Sequence, residues 1–395
     1  MALPVPGTWK TDHTLFGTIP FHSMLTSFPI LRLGLITVLC GCASPGDPAG
    51  KIFPQPVIEW NPRVYRCHQT AAPISIDGVI SPQEWDDAAW TEPFIDIRGP
   101  DYPSPTYRTQ VKMLWDDEFL YIAACIEEPH VWGILTERDS IIYHDNDFEV
   151  FIDPDGDTHH YGEIEMNALG TIWDLLLIRP YRDGGPAVNA WDIAGLKSAV
   201  SIEGTLNDPS DRDRGWTVEM ALPWLGLREI AGKECPPEFG DQWRINFSRV
   251  QWTHEVVKGQ YVKKIDSETG KAFEEENWVW SPQGLIRMHY PEMWGIVEFS
   301  READSSRDEG VRIREIDRAR WALRQVYYRQ REWRKQRGRF CPGWDLLGVD
   351  ESLAGGWSWP PEMRASPDRF EAVIHSTDGE YLTITEDGRI RRERK

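Results

Sequence analysis

The sequence predicts an all-β protein, an antiparallel two-sheet β-sandwich extended by a C-terminal amphipathic helix and a small β meander. Three observations predict it. Short alternating runs recur from Ile74 to Ser300, turn signals separate nearly all of them, and only brief helical pieces intervene. A chain of 395 residues with 41% apolar content is long enough to bury one large core.

Taken in order, Ile74-Ser75-Ile76-Asp77-Gly78 reads as a strand and turn. Ser81-Pro82-Gln83-Glu84 supplies a cap, a proline at the first helical position and a glutamate at the third, which predicts a short helix to about Ala89. Between Thr109 and Glu127 two apolar runs flank Asp116-Asp117-Glu118, a hairpin pattern. Cys125 falls in the second run and reads as a small core residue. From Asn146 to Leu177 the alternation is sharpest. Phe148, Val150 and Ile152 share one side of a strand with Glu149 and Phe151 on the other, and Ile164, Met166 and Ala168 oppose Glu163, Glu165 and Asn167 in the next. An antiparallel pair of this kind has an oily face for a core and a second face of carboxylates and an amide, which predicts a binding surface. Further strands are expected at Ala199–Glu203, Trp216–Leu222, Trp243–Val250 and Trp294–Phe299.

After Phe299 the pattern changes. Ile316, Ala319, Leu323, Val326, Tyr327 and Trp333 recur at three- and four-residue steps between Val311 and Arg337, predicting an amphipathic clasp helix with an Arg-rich outer face. The last segment carries two Asp-Gly turns between β-rich flanks, a meander whose final basic residues read as frayed surface.

The N-terminus reads as export machinery. Leu33–Leu39, preceded by Arg32, is too short to span a bilayer and has the size of a signal-peptide core. It runs into Leu39-Cys40-Gly41-Cys42, which resembles a bacterial lipobox with Cys42 as the lipidated residue and Met24 as the natural start. The expected organisation is a signal segment at 1–42, a Gly/Pro-rich tether at 43–60, the sandwich at 61–300 and the helical and β extension at 301–395. The remaining cysteines have no Cys-x-x-Cys spacing, so neither a disulfide framework nor a zinc site is signalled. A formal charge of −20 repels nucleic acid and anionic membrane surfaces, leaving a lipid anchor as the expected membrane contact. Neutral or cationic ligands and metal ions suit such a surface. Twenty tryptophans are the strongest anomaly in the composition, most of them expected in the core and a minority as flat platforms for ligands.

The succession IDGVISPQEWDDAAW, VKMLWDDEFLYIAACIEEP, NDFEVFIDPDGDTHHYGEIEMNALGTIWDLLL, GWTVEMALPW and WRINFSRVQW resembles the family 9 carbohydrate-binding modules and their carbohydrate-binding family 9-like relatives, over roughly Ile74 to Ser300. The resemblance implies a jelly-roll-like, DOMON-like two-sheet sandwich, structural calcium and recognition of oligosaccharides or polysaccharides. Such modules hold a sugar ring between two aromatic side chains and fix its hydroxyls with a Glu, an Arg and an Asn. Glu149 matches the Glu and Asn167 the Asn, while Glu165 stands where the family has Arg. Tyr143 takes the place of one stacking ring, Trp278 or Trp280 is the candidate for its partner, and Trp252 is a further candidate.

Chemistry independent of the family points the same way, because a pyranose offers apolar C–H faces to rings and a rim of hydroxyls to carboxylates. Asp153, Asp155 and Asp157 alternate around a tight turn, gathering the hard oxygens that calcium requires, although the full EF-hand loop is not present. The expected function is non-catalytic carbohydrate binding by an exported envelope protein engaged in polysaccharide catabolism. Two alternatives stand beside it. One is an O-glycosyl hydrolase using Glu149 with Glu165. The other is a haem-binding electron-transfer domain, for which His159, His160 and Met166 lie close in sequence without a fixed ligand spacing.

Overall fold

The computed structural model describes residues 53–301, 310–350, 354 and 356–394. Cys42, the signal segment and the first part of the tether lie outside the described residues.

Strand β1 (Val64–Gln69) is followed by the one-turn helix α1 (Pro82–Trp85). That helix is shorter than its sequence suggests. Glu84 turns outward to bond Ser81 Oγ (2.6 Å) and the Ser75 amide (3.0 Å), so it does not close a capping box. After β2 (Ile95–Asp96) comes the expected hairpin, β3 (Thr109–Trp115) and β4 (Phe119–Glu127), its turn set by Asp116 Oδ1 accepting from the amides of Glu118 and Phe119. Cys125, expected in the core, faces outward on β4, because the buried positions of that strand alternate against it.

Next come β5 (Asp147–Asp153), β6 (Tyr161–Asn167), β7 (Ile172–Leu177), β8 (Ala187–Val188), β9 (Lys197–Glu203) and β10 (Gly215–Pro223). Helix α2 (Trp224–Ala231) leads to β11 (Gln242–Gln251), the small hairpin β12 (His254–Val257) and β13 (Gln260–Lys263), then β14 (Glu276–Val279) and β15 (Gly295–Ser300).

The main sheet is all-β as expected, but its topology corrects a strictly antiparallel two-sheet picture. Among the described residues thirteen strands form one sheet, in the order β8-β7-β6-β5-β11-β15-β1-β3-β4-β10-β9, with β14 and β2 attached beside β11. The seam is β1, which runs parallel to both β15 and β3. Parallel neighbours need long crossovers, and the stretch from Gln69 to Thr109 provides one. The two halves of this sheet face each other across a common core in which Val111, Ile122 and Val218 meet Val150, Ile164 and Phe247. That face-to-face packing is the sandwich architecture.

Helix α3 (Glu315–Arg337) ends at Gly338 in the left-handed region (φ 71°), and the strands β16 (Glu362–Ala365), β17 (Phe370–His375), β18 (Glu380–Thr385) and β19 (Ile390–Arg394) form an antiparallel meander against it. Ala319, Leu323, Val326 and Tyr327 share a second core with Ala372, Ile374, Leu382 and Ile384 of the meander. The basic tail, expected to fray, pairs along β18, with Arg392 held by Glu380.

The Arg-rich face of α3 is also not simply solvated. Arg324 is fully buried beside Glu292 (3.6 Å), Arg331 pairs with Asp183 (2.7 Å), and Arg320 donates to the Asp155 carbonyl (2.7 Å). These carboxylates belong to the sandwich side, so the arginines are the contact between helix and sheet.

Candidate functional site

The two acidic strands pair as their alternation demands. Glu149 lies opposite Glu165, Asp147 opposite Asn167, and Phe151 opposite Glu163, while Phe148, Val150, Ile152, Ile164 and Met166 enter the central core. Ser248 of β11 opposes Glu149 from the other side, and Trp173 of β7 opposes Glu165. The polar face is thus a patch four strands wide.

That face is not open to solvent. The segment 130–146 folds over it, anchored by Asp145 Oδ2, which accepts from the amides of Ile134 (2.8 Å) and Leu135 (2.9 Å). On one side lies an apolar cluster of Ile142, Phe151, Tyr161, Trp173 and Trp294, on the other one of Trp132, Val250, Trp252 and Tyr261, and Tyr143 packs against both. Between them Asp147 is 0%, Glu149 6%, Glu163 4% and Glu165 2% exposed. One oxygen each of Asp147, Glu149 and Glu165 lies within 4.8 Å of the others.

Burial dominates the electrostatics. It pushes Glu149 up to about 7, against a smaller opposing pull from the Ser248 hydroxyl, with the Glu275 charge adding to the rise. Asp147, Glu163 and Glu165 are raised well above the ordinary carboxylate range by burial first and by the Glu149 charge second. His289 lies 4.0 Å from Glu163, but burial and the nearby Arg182 lower its pKa to about 3, so near neutral pH it brings no positive charge.

Several expected ligand contacts are committed elsewhere. Asn167 donates to the Leu135 carbonyl (2.8 Å) and Asp145 (3.0 Å) and accepts from the amides of Leu169 and Thr171, so it shapes the β6–β7 turn and has no capacity left for a hydroxyl. Trp252 is turned inward, donating to the Tyr143 carbonyl (2.8 Å) with Lys263 Nζ 3.2 Å from its ring centroid.

Trp278 and Trp280 are on the wrong side of the sheet. Val279 pairs with Ser248, which places it on the acidic face, so Trp278 and Trp280 fall on the core face beside Arg249 and Phe247. Trp280 is fully buried and passes so close to Gly295 that a Cβ there would meet its ring at 2.2 Å. Neither can stack on a ligand held by Glu149.

Tyr143 does lie at this site, and its backbone amide donates to Glu165 (2.9 Å). The aromatic that sequence reasoning missed is Tyr181. It is 51% exposed, stacks edge-on to His289 (4.5 Å), and its phenol is raised by burial and then by Glu163, Glu165 and Tyr143. It lies in a Pro-Tyr-Arg-Asp-Gly turn with no periodicity to mark it. Asp147 was recoverable, since it continues the same two-residue alternation as Glu149.

The Asp153–Asp157 turn gathers three carboxylates within 4.8 Å as expected. Their valences are largely used. Asp153 accepts from the amides of Gly156 and Thr158, Asp157 pairs with Arg389 (2.6 Å), and Arg320 holds the Asp155 carbonyl. Arg389 thus answers one of the three carboxylates, while those of Asp153 and Asp155 are raised by burial first and by the neighbouring acids second. His159 lies 4.0 Å from Asp387 of the meander and Met166 in the central core, so the structure does not bring them together as haem ligands.

Fold and site together define a β-sandwich with a buried acidic strand face. Residues 76–239 match the family model "Carbohydrate family 9 binding domain-like". The match ends before β11, so Ser248 and the C-terminal helix and meander lie beyond it. No curated protein sequence matches the chain. Solved structures similar to it include a candidate carbohydrate-binding protein from Bacteroides uniformis (17% identity, 61% of this chain and 100% of that one, TM-score 0.45). A family 9 carbohydrate-binding module from Caldicellulosiruptor kristjanssonii is similar in its complex with cellotriose (14%, 64% and 100%, 0.38) and with glucose (15%, 61% and 98%, 0.37).

Proposed function

We propose that this chain is a non-catalytic saccharide-binding protein, with Tyr143 and Tyr181 at the mouth of the site and the β5–β6 carboxylates beneath them. The observation that carries this reading is the family match, whose span contains both acidic strands and both tyrosines. The chemistry supports it. Two phenol rings offer apolar faces to a pyranose, Tyr181 being the more exposed, and the acidic strand face lies beneath them. A hydrolase is less well supported, because Glu149 and Glu165 stand side by side on one sheet face, whereas a glycosidase places its carboxyls on either side of the scissile bond.

Titration calorimetry of the full chain against cello- and xylo-oligosaccharides tests the proposal. Binding in the micromolar to millimolar range is expected, about 4 to 8 kcal/mol. Tyr181→Ala should weaken it by roughly tenfold, the loss of about one ring contact. A folded protein that binds no member of the panel contradicts the reading.

Export and lipidation at Cys42 belong to the same proposal, placing the domain at the cell envelope where polysaccharide is broken down. Incorporation of labelled palmitate into the wild type but not into Cys42→Ala is the expected result.

A further inference from the structure

The hairpin β12–β13 lies between β11 and β14 in sequence, beyond the family match. His254 pairs with Lys263 and Val256 with Tyr261, so these four side chains share one side of it. That side meets the segment 130–146 that folds over the acidic face. The His130 ring lies 4.8 Å from that of His254, and its Nδ1 is 3.1 Å from the Tyr261 hydroxyl, which donates to the Asp208 carbonyl (3.3 Å). Trp132 stacks on Tyr261 at 6.4 Å. Lys263 Nζ sits over Trp252, whose amide donates to Asn146 Oδ1 (2.8 Å) and whose indole holds the Tyr143 carbonyl. The hairpin therefore fastens the segment that carries Tyr143.

The fastening is built from groups that gain charge in acid. His130 and His254 face each other, and His144 packs its ring 4.8 Å from that of Tyr143. Burial holds His254 below its ordinary 6.5, and the charge acting on it besides is that of His130, not of an acid. His144 is lowered by burial and then by Lys263, with Glu275 and Asp145 pulling the other way. Most acids around the contact are committed. Asp213 accepts from the amides of Val131 and Thr205, Asp145 from those of Ile134 and Leu135, and Asp208 from that of Ser210. Glu128 holds Arg249, and Asp211 accepts from Thr205 Oγ1.

We propose that β12–β13 is a pH-sensitive clasp, in which charging of the facing His130 and His254 parts the hairpin from the segment 130–146 and withdraws Tyr143 from the saccharide site. The clasp stands on its own contacts, and its effect on ligand rests on the saccharide reading above. The sign follows from the imidazole. A group whose folded pKa is depressed supports the closed contact above its ordinary 6.5 and withdraws that support as pH falls below it.

Hydrogen exchange of the full chain, followed by mass spectrometry on peptides from 130–146 and 254–263 and corrected for the intrinsic rate at each pH, tests the clasp. Between about pH 7.5 and about pH 5.5, protection of both peptides should fall roughly tenfold or more while the β3–β4 hairpin keeps its own. His254→Gln and His130→Gln, uncharged at both values, should each hold that protection. Glu149→Gln removes a carboxyl that titrates at about 7, in the same range, and should leave the fall intact. The proposal is overturned if protection in the wild type is equal at both pH values, if it falls in both histidine variants as in the wild type, or if Glu149→Gln abolishes the fall. At the lower pH the wild type should also bind saccharide roughly tenfold more weakly than His254→Gln, the loss of about one ring contact. Absence of saccharide binding at both pH values overturns the saccharide reading, while the exchange result still decides the clasp.

Discussion

Arg249 shows how single residues hold this sandwich. Its guanidinium is buried between the sheet halves, bonding Glu128, Gln251, Thr109 Oγ1 (3.1 Å) and the Glu127 carbonyl (2.9 Å), with Trp278 packed 5.0 Å from its charge. Removing one member of such a pair strands the other without water. Arg249→Met should therefore cost about 3 to 5 kcal/mol in urea denaturation, and Glu128→Leu added to it should recover much of the loss. Residue-scale reading of the sequence grouped the β5–β6 acids on one face, and Tyr143 lies beside them, because alternation and residue type are local properties. It misassigned Trp278 and Trp280, because the side of the sheet a residue takes is set by the register of β14 on β11, where a one-residue slip exchanges the faces. Asn167 was chemically apt for a sugar but is consumed by its own turn.

At the scale of elements, the strands expected from Thr109 onward and the meander agree in bounds to within a few residues, whereas Ile74–Gly78, expected as strand and turn, forms no strand, and β1 and β12 to β14 carried no signal that was read. What covers the acidic face was not legible, since the segment 130–146 carries no pattern of its own. The arginines of α3 likewise read as solvated, because their partners Asp183 and Glu292 are far away in sequence. Those pairs predict a pH response. Burial alone would push Glu292 up, but Arg182 and Arg324 outweigh it and hold the group at about 2 instead of its ordinary 4.5. A depressed folded pKa stabilises at pH values above 4.5, and that stability disappears as pH falls through the window from 4.5 to about 2. The difference corresponds to roughly 3 kcal/mol. Melting temperature followed across this window should fall with pH, and Glu292→Gln should flatten the slope. The Tyr328 hydroxyl, which donates to the same carboxylate, reports the event through its near-ultraviolet signal.

For the whole molecule, the all-β class and the shared core were readable from composition and turn spacing, whereas the joining of both halves into one mixed sheet was not. Parallel pairing of β1 depends on contacts between residues far apart along the chain, which leave no local trace. That seam has a consequence for how the protein is made. Val64–Gln69 leaves the ribosome early, yet one of its two neighbours, Gly295–Ser300, is synthesised more than two hundred residues later. Until then the nascent chain holds an early strand with an unoccupied edge, a slow, non-local closure of the kind that invites association with other chains. Completion of the domain is therefore timed by its last sheet strand, and a chain that stalls before Gly295 leaves its halves unstitched.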